Sequence, residues 1–254
     1  MSTALSVNVN KVALLRNARS GEVPSVVDFA RAALDAGAHG ITVHPRPDQR
    51  HIRITDVDAL AELLSSPEYA DREFNIEGNP LDLSHGDHLM PIVRRVRPTQ
   101  ATLVPDASDQ NTSDHGFELT KPEVVGELLP IVEELRSQGC RVSLFVDPDP
   151  ATAEAAKQTG ADRIELYTES YAQAFGTPDQ RATVTRFADT AAAAKNAGLG
   201  VNAGHDLDQA NLGLFLEHVG GVEEVSIGHA LVAESLFSGV ESTIGSYLDL
   251  LNQR

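Results

Sequence analysis

Eight short apolar runs alternating with helical stretches, in a chain of 254 residues, predict an α/β fold. The expected architecture is a single (β/α)8 TIM barrel over residues 1–254, its active site at the C-terminal ends of the strands. Three observations carry this. The runs lack clean alternation of polar and apolar residues, as strands buried on both faces do. Several stop at a residue able to do chemistry, and polar groups gathered at the carboxyl ends of parallel strands are how a barrel builds a site. The length is close to the ~250 residues usual for one barrel. A doubly wound open sheet, the alternative, normally carries a G-x-G-x-x-G after its first strand, and none is present.

The first strand is expected over 5–9. A helix over 24–36 follows, with Val26, Ala30, Ala33 and Leu34 on one face, Pro24 at its start and Gly37 at its stop. Strand 40–44 runs through Gly40-Ile41-Thr42-Val43 into His44, and strand 73–77 runs through Phe74-Asn75-Ile76 into Glu77. After strand 100–104 comes the longest loop, 105–119, rich in Asp, Ser, Asn and Thr and suited to a lid or binding loop. Thr120-Lys121-Pro122-Glu123 reads as a capping box opening a helix over 121–138.

Strand 141–147 leads into Asp147-Pro148-Asp149-Pro150, read as an N-cap with proline at N1 rather than a cation site, and that helix closes at Gly160. Strand 163–167 holds Glu165, and an alanine-rich helix spans about 178–198. Strands 200–203 and 224–228 end at Gly204-His205 and Gly228-His229. Gly37, Gly139, Gly160 and Gly198 each separate a helix from the next strand, where glycine supplies a left-handed C-cap.

Composition narrows the function. Hydrophobic residues make up 41% and charged residues 22%, fitting a soluble globular domain, and no apolar run approaches the length of a membrane span. Met1-Ser2-Thr3-Ala4-Leu5 shows no secretory pattern, and the lone Cys140 offers neither a disulfide nor a thiolate cluster. A reducing cytoplasm is expected. A formal charge of −17 argues against nucleic acid or an anionic membrane as partner. An anionic ligand would have to be attracted locally, by the cluster Lys11, Arg16, Arg19, Arg46 and Arg50.

His44 is the leading catalytic candidate. Pro45-Arg46 and Arg50-His51 follow it, which suits a base titrating near neutral pH beside an anionic substrate. Glu77, between Asn75 and Asn79, is placed for proton transfer near His44. Glu165 faces one side of its strand, as an ion-pair partner or as a group stabilising positive charge in an intermediate. His205 and His229 follow glycines at the ends of strands 7 and 8, whose loops form the usual phosphate site of a barrel. Ser84-His85-Gly86-Asp87-His88 reads as surface capping rather than a metal motif, and Cys140 as a small buried residue.

Five blocks then match a known pattern in order. They are Ser6-Val7-Asn8-Val9 with Leu15-Arg16-Asn17-Ala18-Arg19; Gly40-Ile41-Thr42-Val43-His44 with Arg50-His51-Ile52; Val142-Ser143-Leu144-Phe145; Val201-Asn202-Ala203-Gly204-His205; and Ile227-Gly228-His229-Ala230. Together they resemble the pyridoxine 5′-phosphate synthase family over essentially the whole chain.

The resemblance implies a (β/α)8 enzyme of vitamin B6 biosynthesis that assembles as a homo-octamer and needs no metal or organic cofactor. Its partners are small phosphorylated substrates: 1-deoxy-D-xylulose 5-phosphate is joined to 3-amino-2-oxopropyl phosphate, with release of phosphate and water. By position, the resemblance makes His44 the first base, Glu77 a second acid/base, His205 the proton donor and Glu165 a transition-state stabiliser. It makes Asn8, Arg19, Arg46, His51, Thr112, Gly228 and His229 substrate contacts, with Thr112 in the candidate lid.

The chain departs from the family pattern at three places. Asn10-Lys11 stands where Asp-His is usual, Asp106-Ala107-Ser108 replaces basic residues, and Asp206 stands where glycine is frequent. Asn10, Lys11 and Asp206 therefore join the substrate-binding candidates, Asp206 either repelling a phosphate or capping the next helix. The rivals are a related barrel enzyme for another keto-phosphate, with Asn10-Lys11 as its mark, and a non-catalytic barrel that binds a phosphorylated ligand. Retention of His44, Glu77 and His205 disfavours the second.

Overall fold

A computed structural model describes residues 3–83, 88–106 and 113–252. The chain runs β1 (Ala4–Asn8), α1 (Asn10–Asn17), α2 (Val26–Asp35), β2 (Gly40–Val43), α3 (Ile54–Ser65), β3 (Glu73–Gly78), α4 (Leu89–Val96), β4 (Gln100–Leu103) and α5 (Pro122–Ser137). It continues β5 (Arg141–Val146), α6 (Thr152–Gln158), β6 (Arg163–Tyr167), α7 (Glu169–Ala174), α8 (Gln180–Asn196), β7 (Gly200–Gly204), α9 (Leu212–His218), β8 (Val222–Ile227), α10 (His229–Ser238) and α11 (Val240–Asn252). Every strand is parallel to both neighbours and β8 returns to β1, with Val7 opposite Ile227, closing an eight-stranded barrel. The eight expected strands are all present. No described helix is long and apolar enough to cross a membrane.

Local chemistry sets the helices that pack outside. In α2 the buried face is Val26, Ala30, Ala33 and Leu34, as the periodicity requires, and the Ser25 hydroxyl caps the helix by accepting from Asp28 N at 3.1 Å. Gly37, Gly139, Gly160 and Gly198 all have positive φ, the left-handed stop expected at the end of each helix.

The capping box at Thr120 does not form. Lys121 is the N-cap, no side chain closes the turn, and Pro122 with its preset φ starts the helix one residue later than the box needs. His88 likewise holds the N-cap position of α4 without a side-chain capping bond, while Ser84, His85, Gly86 and Asp87 lie outside the described residues. The N-cap expected at Asp149 with proline at N1 does not form: α6 starts at Thr152 with Ala151 as its N-cap, and the Asp149 carboxylate only closes a local turn by accepting from Ala151 N at 2.9 Å. Cys140 is buried, and burial pushes its thiol up to about 12.

The apolar core lies between strands and helices, while the barrel axis is polar. Thr42 meets Ser6 at 2.7 Å, and Thr102 donates to Asn75 at 3.0 Å. Lower down, Gln100 donates to Glu224 at 3.2 Å, Arg163 donates to Asn202 at 2.9 Å, and Arg141 donates to Gln100 at 2.8 Å. Buried polar groups are tolerable only when paired, and this network supplies the pairs. It closes the floor at the N-terminal ends of the strands. The mouth at their other ends is left for ligands.

Candidate active site

β1 ends at Asn8, whose amide does two jobs. Its Nδ2 reaches Glu77 Oε2 at 3.4 Å, and its Oδ1 accepts from Asn10 N at 3.0 Å, turning the chain into α1. Asn10 then accepts from His44 N at 2.9 Å, tying α1 to the end of β2. The His44 ring sits between two carboxylates, Nδ1 3.6 Å from Glu77 Oε2 and Nε2 3.1 Å from Asp106 Oδ2. Arg46 Nη2 lies 2.8 Å from the same Asp106 oxygen, and both residues are buried.

Past β2, the segment at 50–51 is held from α1. Arg16 is buried, forms a bidentate pair with Asp56 and donates to His51 O at 3.1 Å. Asn17 donates to the same carbonyl at 2.8 Å. Arg16 is therefore a structural anchor and not one of the cations offered to a ligand. His51 Nδ1 accepts from Ile52 N at 2.9 Å, which puts the ring proton on Nε2. Burial, then the charges of His44, Arg46, Lys11 and Arg50, pull its pKa down to about 3. The result is a neutral N–H donor at physiological pH.

Across the mouth, Glu165 on β6 is 2% exposed and its Oε2 is buried without a hydrogen-bond partner. Among the described residues no cation is paired with it, so the ion-pair alternative falls away. Burial first, then the Glu77 charge, raise its pKa well above the carboxylate range. Gly204 ends β7 because a Cβ there would lie 2.6 Å from Ser226 O and 3.0 Å from Glu165 Oε1. His205 follows at φ +82°, its Nδ1 2.7 Å from Asp206 Oδ2.

The two glycine–histidine turns differ. Gly228 is the N-cap of α10, so its turn offers helix N–H groups and the positive end of a helix dipole. After Gly204 no helix begins until Leu212, so the anion site expected at both strand ends has a helix terminus at only one.

These groups share one cavity of about 480 Å³ at the C-terminal ends of the strands. His44, Glu77, Glu165 and His205 line it, together with Asn8, Asn10, Lys11, Arg46, His51, Asp206, Gly228 and His229. Arg19 is exposed and does not line it, and Thr112 lies outside the described residues. Phe145, Ser113 and Ser226 line it without having been singled out as site residues. In the sequence Asp106 stands out only as the replacement of a basic residue, whereas the structure sets it against His44 and Arg46. The sequence signal was available: a carboxylate two residues past a strand end that faces the same mouth.

A family model for the pyridoxal phosphate biosynthesis protein PdxJ matches residues 5–253. The chain belongs to that family. The pyridoxine 5′-phosphate synthase of Xanthomonas axonopodis pv. citri is 52% identical over 253 residues, covering 99% of this chain and 97% of that protein. The one from Albidiferax ferrireducens is 52% identical over 258 residues, covering 100% and 99%. A solved tryptophan synthase chain from M. tuberculosis superposes with TM-score 0.62 at 14% identity, covering 98% of this chain and 92% of that one, a likeness of fold alone. PdxJ membership makes this chain an enzyme that forms the pyridoxine ring.

Proposed function

We propose that this chain condenses 1-deoxy-D-xylulose 5-phosphate with 3-amino-2-oxopropyl phosphate to give pyridoxine 5′-phosphate, phosphate and water, by acid/base catalysis. The observation that carries the reading is the convergence of His44, Glu77, Glu165 and His205 on one cavity rimmed by Lys11, Arg46 and the N-terminus of α10. Amine attack on a ketone, imine formation, phosphate loss and ring closure are proton transfers with no redox step, and imidazoles and carboxylates are the groups such steps need.

Each residue has a task its surroundings suit. His44, gripped between Glu77 and Asp106, serves as the first base, and Glu77 returns or accepts protons as the second acid/base. Glu165, kept neutral by burial, gains as a carboxylate only when cationic imine character develops beside it, which favours the charged transition state. His205 supplies the proton for loss of a hydroxyl as water. Neutral His51, Arg46, Lys11 and the Gly228–His229 turn hold the phosphates, with Asn8 and Asn10 orienting the rim. Arg19 and Thr112 are proposed contacts by family position. The enzyme is further proposed to work in the cytoplasm as a homo-octamer, eight times the 27.2-kDa chain in mass.

The test is incubation with both substrates, following pyridoxine 5′-phosphate by absorbance and phosphate by colorimetry. Wild type should release one phosphate per product. His44→Ala should lose about 10²-fold or more in turnover while keeping its fold. Tight substrate binding without product would support a non-catalytic barrel, and turnover with only a different ketose would support a related enzyme.

A further inference from the structure

We propose that Asp206 is a positioning residue for His205: its carboxylate holds the imidazole by Nδ1, so that Nε2 is the nitrogen that hands over the proton. This rests on the reading of His205 as proton donor. The alternative that Asp206 caps the next helix is not met. The turn before α9 is made by Asp208, which accepts from Ala210 N at 2.9 Å and Asn211 N at 2.8 Å. The Asp206 carboxylate is instead committed to the neighbouring ring, at 2.7 Å.

The backbone is arranged around this pair. His205 occupies the left-handed region at φ +82°, where a residue with a side chain persists only when its surroundings hold it. Here they do so from both sides. The buried Thr168 hydroxyl donates to Gly204 O and accepts from Asp206 N at 3.2 Å. Asn211 Nδ2 donates to Asp206 O at 3.1 Å, and His205 N donates to Ser226 O at 3.3 Å. Tyr167 packs against the imidazole, ring centroids 5.4 Å apart at 80°, and is itself backed by Phe145 at 5.2 Å.

The charges facing His205 come from several elements. Asp206 lies beside it, Glu77 faces it from β3 and Lys11 from α1, while β6 brings Tyr167 and Glu165. Burial lowers the imidazole pKa, but the Asp206 hydrogen bond and charge, with Glu77 behind them, outweigh both burial and Lys11, so the net shift is upward. A proton donor working near neutral pH needs that direction.

The experiment compares wild type, Asp206→Asn and Asp206→Glu by histidine-selective NMR titration, with His205→Gln identifying the signal among nine histidines, and by the pH profile of kcat. Asp206→Asn should lower the His205 titration by about one pH unit or more. It should bring the alkaline limb of kcat down equally, with KM within about twofold. Asp206→Glu should recover part of both shifts, and unchanged circular dichroism checks the fold. An unmoved ring titration in Asp206→Asn, or a raised KM with an unmoved profile, would overturn the positioning role. A shifted ring with an unmoved kcat profile would uphold the contact and remove His205 as the proton donor.

Discussion

Burial lowers the pKa of His51 to about 3, with the charges around it adding to the shift, and raises that of Glu165, where the Glu77 charge adds to it. For Glu165 the folded pKa lies above the unfolded ~4.3. Its contribution to stability is thus fully present below the unfolded value and is lost as pH rises through the raised one. Glu165→Gln keeps the neutral shape but has no proton to lose. Its melting temperature should gain on wild type by more at pH 8.5 than at pH 5, while kcat falls. An equal gap at both pH values would mean that Glu165 is ionised in the folded state. At this scale the chain of residues shows which groups are reactive but not which partners they find. Arg16 and Lys11 look alike along the sequence, yet Asp56, forty residues on, takes Arg16 into the interior.

At the scale of elements, several strand ends were legible because apolar runs stop at polar residues, and the glycine stops because φ there must be positive. The start of α5 was not, since a box motif and an N1 proline compete and the proline prevails. The element proposed to hold phosphate is the β8–α10 junction. A Cβ at Gly228 would lie 3.0 Å from Asn8 Cβ and 3.1 Å from Asn8 O, so a side chain there fits only if β1 gives by a few tenths of an ångström. Gly228→Ala should therefore push β1 and the α10 N-terminus apart. Inorganic phosphate at tens of millimolar should raise the melting temperature of wild type by mass action. The variant should show a much smaller rise. An equal rise in both would place the anion site elsewhere.

Over the whole molecule, the barrel separates a mouth lined by titratable groups from a largely paired polar floor. Glu224 is buried there, its carboxyl pushed up by burial and by Glu73 against the pull of Arg163. Arg163→Met would remove the donor shared by Asn202 and Glu224, leaving Glu224 to Gln100 and Arg141, and should cost about 1–3 kcal/mol, the usual cost of leaving a buried polar group short of a partner. A lowered urea midpoint should report it, with kcat of the folded protein unchanged because the catalytic groups lie at the other end of the strands. Sequence reading captured the closed barrel and the convergence of distant residues on its mouth, since both follow from strand order. It missed the polar axis, because the residues that fill it lie on eight different strands and pair only once the sheet closes.

The central claim is that one mouth holds phosphorylated substrates over His44, Glu77, Glu165 and His205. A crystal structure of the full chain with inorganic phosphate tests it most directly. Phosphate should lie on the backbone N–H groups at Gly228–His229 or against Arg46 and His51, inside the cavity. Phosphate bound only outside it, with the mouth holding none at saturating concentration, would contradict the account.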